Sequence, residues 1–372
     1  MKHVRLGIIG LGFMGQFHAR HILDGRIPRL RLAAVADSDP ARLGMFKHIA
    51  GFSNDRALIT SGLVDAVLIA TPHYFHTETG IAALRAGLHV LVEKPISVQR
   101  ADCERLIAAH TNRRLVFAAM LNPRSDPLYA KLRELVHGGA LGDIRRVQWT
   151  ATNWFRPHAY YAQSAWRATW AGEGGGVLLN QCPHNLDLFS WIFGQPKRVR
   201  GHCAFGRYHD IEVEDDVTAY FELPGGATAT FIASTGEAPG TNRLEVMAEN
   251  GRVVAENGVL RFTRNRVPTA KFSRTTKEPF AAPPTDERTF AFKDSGLQHV
   301  AILRNFADAI LSGAPLIAPA AEGIRSVELA NAILLSSWTD EAIDLPLDAR
   351  RYARWLKRKI AASPHTARLS SK

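Results

Sequence analysis

Val4-Arg5-Leu6-Gly7-Ile8-Ile9-Gly10-Leu11-Gly12-Phe13-Met14-Gly15 is the stretch from which the fold is read. Its first half is a short apolar run of the buried-strand type. Its second half is Gly-x-Gly-x-x-Gly, and residues 16–23 behind it read as a helix. In a strand–turn–helix setting such glycines permit a tight turn and let a pyrophosphate approach the helix N-terminus. The motif alone is weak, so the next strand matters. Residues 30–36 form it, and Asp37 ends it. An acid there accepts hydrogen bonds from adenosine ribose hydroxyls and disfavours a 2′-phosphate. This favours NAD, while Ser38 and Arg42 leave NADP open. The competing reading is a glycine turn in a buried βαβ unit that holds no ligand.

The alternation continues along the chain. Strands are expected at 65–70, 89–92 and 115–120, and helices at 77–86 and 101–111. Strands separated by helices imply a parallel, doubly wound sheet. Ligands of such sheets bind outside the carboxyl ends of the strands. Asp37, Thr71-Pro72, Glu93-Lys94-Pro95 and Asn122 all map to that edge. Lys94 precedes a proline, which restricts its backbone, and it follows a buried strand that presents its ammonium group to the edge. The bland alternative is a solvated loop lysine. His73 and His76 read as packing or cofactor contacts rather than proton carriers.

A second stretch, Gly174-Gly175-Gly176-Val177-Leu178-Leu179-Asn180-Gln181-Cys182-Pro183-His184-Asn185-Leu186-Asp187, carries the other candidate chemistry. Glycines before a helix let backbone and ligand come close. Pro183 is tolerated if the helix begins near Asn180, which then serves as N-cap. Asn180, His184 and Asp187 would share one helix face. His184 would then be an acid/base beside a glycine-lined opening.

With 372 residues, 46% hydrophobic and 22% charged, the chain reads as a globular protein of two domains or one large one. No apolar run is long enough to span a membrane. The N-terminus does not read as a signal peptide, and Cys103, Cys182 and Cys203 are too few and too spread for a disulfide framework. A cytoplasmic location is expected. The net charge of +11 is dispersed except at Arg350, Arg351, Arg354, Lys357, Arg358 and Lys359, which read as the solvated face of an amphipathic helix. Neither nucleic acid nor membrane is expected as a partner; an anionic cofactor suits a basic chain. His184 with Asp187 gives two ligands at most, so no metal is expected.

Beyond residue 122 a helix is expected at 127–138 and a strand at 144–151. The loop that follows holds Trp154, Arg156, Tyr161, Trp166 and Arg167. Aromatic faces stack on the C–H faces of sugar rings, and Arg and Tyr donate to hydroxyls; the alternative is a tryptophan-rich core or subunit contact. From residue 199 the pattern is antiparallel β, with strands 216–223 and 227–233 around Pro224-Gly225-Gly226 and turns at Asn250-Gly251 and Asn257-Gly258. A sheet face left uncovered by local helices is expected to join subunits into a homodimer or homotetramer. Residues 264–289 read as a mobile excursion, 299–311 and 321–338 as helices, and 361–372 as a frayed tail.

Gly10-Leu11-Gly12-Phe13-Met14-Gly15, Glu93-Lys94-Pro95 and the run from Gly174 to His184 and Asp187 occur in the order and spacing of one family. With Thr71-Pro72, His76 and Leu345-Pro346-Leu347-Asp348, they make nearly the whole chain resemble the glucose–fructose oxidoreductase/inositol 2-dehydrogenase (Gfo/Idh/MocA) family. The resemblance implies an α/β chain: an N-terminal Rossmann domain (1–122) and a C-terminal α+β domain (123–372) on an open, mostly antiparallel sheet. It implies an NAD(P)-dependent oxidoreductase moving a hydride between nicotinamide and a secondary alcohol of a cyclic sugar, sugar derivative or inositol. Lys94 would polarise the hydroxyl and His184 relay its proton. Asn180 stands where many members have aspartate, which leaves its proton role open, and Cys182-Pro183 replaces a commoner small pair.

On these grounds the expected cofactor site comprises Gly10, Gly12, Phe13, Met14, Gly15, Asp37, Ser38, Thr71, Pro72, His76, Glu93, Lys94 and Asn122. The expected substrate site comprises Lys94, Asn122, Arg124, Trp154, Arg156, Tyr161, Trp166, Arg167, Asn180 and His184. Two other readings stay open on the resemblance: glycoside cleavage through transient oxidation, without net NADH, and a non-enzymatic NAD(P)-binding regulator, which could lose Lys94 and His184 freely.

Overall fold

Apolar strands that read as continuous buried runs need cover on both faces, and the chain provides it. The computed structural model describes residues 2–363. Its first sheet has six parallel strands: β1 (Val4–Ile9), β2 (Leu30–Ala36), β3 (Ala50–Phe52), β4 (Ala66–Ile69), β5 (His89–Val92) and β6 (Phe117–Ala119), in the order β3-β2-β1-β4-β5-β6. Helices α1 (Phe13–Leu23), α2 (Pro40–Leu43), α3 (Asp55–Ile59), α4 (Phe75–Arg85) and α5 (Arg100–Ala108) connect them. The order reverses between β1 and β4, so the switch point lies beside the glycine turn. The short elements α2, β3 and α3 were not foreseen.

The glycine turn is built by close approach. A Cβ on Gly15 would lie 1.8 Å from the Gly10 carbonyl oxygen. Gly10 itself has φ +92°, and a Cβ there would lie 2.7 Å from the Ala70 carbonyl oxygen. Gly12, by contrast, faces open space and precedes α1 without any side-chain cap.

A 3-10 turn (Asn122–Ser125) leads into α6 (Pro127–His137) and then the second sheet. That sheet has nine strands: β7 (Ile144–Ala151), β8 (Arg198–Phe205), β9 (Glu214–Glu222), β10 (Thr228–Ser234), β11 (Asn242–Ala248), β12 (Gly251–Glu256), β13 (Val259–Asn265), β14 (Thr285–Ala291) and β15 (Ile343–Asp344). Every pairing is antiparallel except β7 with β10. Its helices are α7 (His158–Ala162), α8 (Val177–Asn180), α9 (Pro183–Phe193), α10 (Thr269–Thr275), α11 (His299–Ser312), α12 (Ile324–Thr339) and α13 (Ala349–Ala361). Helix α13 buries Tyr352 and Leu356, as the alternating basic run predicts.

Chain order and packing order differ at one place. Val300, Leu303 and Phe306 of α11 join the core of the first sheet, and Ala119 N–H donates to the Ala318 carbonyl at 3.0 Å, covering the β6 edge. The expected excursion at 264–289 is corrected: it holds α10 and most of β14, which pairs with β13 from Thr285 to Ala291. The side chains of β14 are almost all exposed. Its order comes from backbone bonds along an edge, which leave no apolar alternation to read. The tail, from residue 364 on, lies outside the described residues. No helix among the described residues is long and apolar enough to cross a membrane.

Candidate active site

The carboxyl edge of the first sheet faces the loop and helix starts of the second domain. Lys94 leaves the end of β5 and its Nζ donates to the Asn180 carbonyl oxygen at 2.7 Å. That single bond joins the two candidate motifs. His184, in the first turn of α9, has its Nδ1 buried with no partner. Burial, and then the Lys94 charge, push the His184 imidazole well below its ordinary range, so it is neutral near pH 7. Burial also lowers the Lys94 ammonium, against Glu93 and Glu173, which hold its charge.

The local path to this arrangement differs from the expectation. Asn180 is not an N-cap but the last residue of α8, and α9 starts separately at Pro183 behind Cys182. The break between the two short helices turns the Asn180 carbonyl out of any helical bond and toward Lys94. The glycines do not open a space for ligand either. A Cβ on Gly174 would lie 2.1 Å from Val98 Cγ1, and one on Gly176 would lie 2.0 Å from the Glu214 carbonyl oxygen. They let α8 dock against β9 and the loop after β5.

Glu214, which carried no sequence signal, fixes that docking. Its Oε1 accepts from Gly176 N–H at 2.8 Å and Leu178 N–H at 3.0 Å, while Oε2 is buried without a partner. Burial pushes its carboxyl up to about 7. The protonated form therefore favours the fold, with a stability contribution complete below about pH 4.5 and lost as pH rises through about 7. Glu214→Gln should remove that loss, up to about 1.4 kcal/mol for each pH unit of the window. Thermal melts of both proteins from pH 5 to 8 check this: the gap should open in the variant's favour as pH rises, and a constant gap overturns it.

Glu173 was also missed. Its carboxylate is buried, receives Ala168 N–H at 2.7 Å and is held by the Asn180 side-chain amide. Tyr160, another residue not foreseen, donates to Asn180 Oδ1 at 3.3 Å and accepts from Arg167 at 2.8 Å. Tyr161 was expected here, but its hydroxyl points away, to Thr235 at 2.9 Å. Trp166 and Trp154 flank Arg167 and Arg156, and Trp154 Nε1 donates to Asn185 at 3.2 Å.

Three more expectations are corrected. Arg124 is no substrate donor: its guanidinium is buried, grips Asp187 at 2.7 and 2.8 Å and also bonds Glu322. His76 lies under the rim, its ring nitrogens 2.8 Å from the Thr71 and Pro95 carbonyls, so it shapes the edge without reaching a cofactor. The Glu93 carboxylate is spent on His18 at 2.6 Å and Lys94 N–H at 3.1 Å. Burial would raise Glu93, but His18, with His299 and Lys94, overcomes it and holds the acid at about 2.

The cofactor edge retains a dinucleotide's requirements. Gly12 is open, α1 begins uncapped, and Phe13 beside it is 81% exposed. Thr71 Oγ1 and Asn122 Oδ1 are buried without partners at the ends of β4 and β6. Asp37 ties Leu11 N–H at 2.6 Å and Asp39 N–H at 2.9 Å, next to exposed Ser38. Arg42 lies 3.5 Å from Asp37 and 3.4 Å from Asp39. Met14 and Pro72 lie half-buried along the same edge. Among the described residues no group of three or more His, Cys, Asp or Glu could hold a metal.

Comparison with known proteins matches residues 4–120 to the oxidoreductase family with an NAD-binding Rossmann fold, and residues 129–254 to the GFO/IDH/MocA C-terminal domain. The chain belongs to the Gfo/Idh/MocA family. Among its relatives, myo-inositol 2-dehydrogenase of Thermotoga maritima is 28% identical over 68% of this chain and 75% of its own length. Trans-1,2-dihydrobenzene-1,2-diol dehydrogenase of Bos taurus is 31% identical over 62% of this chain and 68% of its own. The WlbA dehydrogenase of Bordetella pertussis, solved with NADH and UDP-GlcNAcA, superposes with a TM-score of 0.77 over 93% of this chain and 100% of that one. At 24% identity that likeness is one of fold. As a Gfo/Idh/MocA member, the chain is an NAD-dependent oxidoreductase in a family of sugar and polyol dehydrogenases.

Proposed function

We propose that this Gfo/Idh/MocA protein oxidises a secondary alcohol on a cyclic sugar or polyol, with Lys94 and His184 handling the hydroxyl proton. The observation that carries the reading is the half-buried Lys94, its ammonium fixed on the Asn180 carbonyl beside a neutral, unpartnered His184, at the edge where the glycine turn opens. Relatives named as dehydrogenases of myo-inositol and of levoglucosan support the substrate class.

Gly10, Gly12 and Gly15 with the start of α1 would hold the pyrophosphate, Asp37 the adenosine ribose, and Thr71 and Asn122 the inner half. Bound NAD supplies the hydride acceptor. Lys94 places positive charge where the alkoxide develops, in a site where low polarity strengthens it. His184, neutral because it is desolvated beside a cation, takes the hydroxyl proton as general base; in reduction it returns it. Asn180, bonded to Glu173 and Tyr160, orients the backbone that holds Lys94.

The test is absorbance of reduced cofactor with NAD and a panel of inositols and cyclic sugars. NADH should form in proportion to ketone. His184→Ala should lower turnover by about 10²-fold with the NADH dissociation constant unchanged. Turnover equal to that of the unsubstituted enzyme removes His184 from the reaction.

A further inference from the structure

Tyr160 is held between two guanidinium groups. Arg156 lies 5.1 Å from its ring centroid and Arg167 4.7 Å. Beyond them stand Trp154, 5.7 Å from Arg156, and Trp166, 4.7 Å from Arg167. Like charges gathered around one ring repel, and the ring faces offset only about 1–2 kcal/mol each. Partners should therefore be present, and for Arg156 they are not. Among the described residues it makes no ion pair. Its Nη1 bonds the carbonyl of its own neighbour, Phe155, at 2.9 Å, and its Nε is buried without a partner.

The remaining charges of the site are already committed. Arg167 donates to Tyr160 and reaches Glu173 at 3.8 Å. Glu173 is engaged by Ala168 N–H and the Asn180 amide. Lys94 is on the Asn180 carbonyl and, on the reading above, answers the reacting oxygen. One guanidinium's worth of positive charge is left, walled by aromatic rings, with no carboxylate on its fork. A planar monoanion fits that vacancy: carboxylate matches the guanidinium fork with two parallel hydrogen bonds. A phosphate dianion fits less well, because the buried Glu173 carboxylate shares the site.

We propose that the substrate is a ring acid, whose carboxylate seats on Arg156, with Arg167 beside it, while a ring hydroxyl reaches Lys94. This rests on the dehydrogenase reading of Lys94 and His184 and sharpens its substrate from sugars and polyols to their carboxylated forms. The ring's C–H faces lie against Trp154, Tyr160 and Trp166.

The experiment separates binding from turnover. Calorimetry on the protein saturated with NADH compares cyclohexanecarboxylate with cyclohexanecarboxamide, a neutral probe of the same shape. The carboxylate should bind at least about tenfold tighter. Arg156→Gln should erase the preference, and Arg156→Lys, which keeps charge but loses the fork, should keep part of it. A merely structural Arg156 would leave the ratio unmoved in both. In the turnover arm, D-glucuronate and D-galacturonate are set against D-glucose, D-galactose and their 6-phosphates. Equal binding of acid and amide, or a preference for the 6-phosphates, overturns the carboxylate assignment. If neutral sugars are oxidised well and the Arg156→Gln ratio equals the unsubstituted one, only this inference falls. If no ring alcohol of either kind reduces NAD while the carboxylate still binds preferentially, the dehydrogenase reading falls instead.

Discussion

Lys94→Gln lowers turnover by about three orders of magnitude and leaves NADH affinity within a few-fold of its original value. The expectation follows from what Lys94 touches. Lys94 is half-buried, and among the described residues its ammonium bonds one acceptor, the Asn180 carbonyl, at 2.7 Å. Nζ therefore keeps donors for a reacting oxygen, and a desolvated cation stabilises an alkoxide far better than one in water. Removing one such donor typically costs 10²–10³ in turnover. Loss of the full charge adds to that, because His184 then works against an uncompensated alkoxide. Glutamine removes the charge while keeping an N–H donor on a side chain one bond shorter, which tests the charge with the least change in shape. The measurement is single-turnover hydride transfer followed at the NADH absorbance, beside a fluorescence titration of NADH. The sign of the pH effect is also fixed. Lys94 lowers the affinity of His184 for protons, so Lys94→Gln should raise the His184 pKa and move the acid limb of the rate profile to higher pH. A variant with normal turnover, or an unmoved acid limb, overturns the assignment.

Much of this was legible in the chain, and the reasons are local. The strand, glycine turn and helix from Val4 to Leu23 are set by short-range sterics, and Gly15 is needed because its Cβ would strike the Gly10 carbonyl. Asp37, Thr71, Lys94 and Asn122 could be placed at one edge because strand ends follow from apolar runs. The misreadings have a common cause: a side chain's type is visible in sequence, and its partner is not. Arg124, two residues beyond Asn122 at the strand edge, reads like a substrate donor until Asp187 and Glu322 are seen to enclose it. Tyr160 and Tyr161 are adjacent and chemically equal, and only the fold decides which hydroxyl faces Asn180 and which faces Thr235. Glu173 and Glu214 stand in no motif, although each organises part of the Lys94 site. A carboxylate directly before the three glycines was the signal available for Glu173. Asn180 and the acid at 173 belong together in the structure through one hydrogen bond.

Arg124 and Asp187 give the second large effect, and it is one of stability. Their side chains are 1% and 2% exposed and meet in a two-pronged pair, with Glu322 on the remaining Nη1. Burial alone would lower the Arg124 pKa, but the Asp187 bond and charge, aided by Glu322, overcome it and raise it, so the guanidinium stays charged. The pair ties the turn after β6 to α9, one turn beyond His184. Asp187→Ala strands a buried cation with one half-exposed partner, and breaking a buried pair in this way costs about 3–5 kcal/mol. Urea denaturation of the variant should show that loss. The same substitution frees the first turn of α9 against the β6 edge, so the stable fraction should also turn over more slowly with NADH binding intact. Arg124→Met with Asp187→Leu distinguishes charge from packing: two apolar groups of similar volume leave no fully buried charge stranded, the partly exposed Glu322 carboxylate meeting solvent instead, and stability should return to within about 1 kcal/mol of the original. If the double variant is as unstable as Asp187→Ala alone, packing rather than the unpaired charge accounts for the loss.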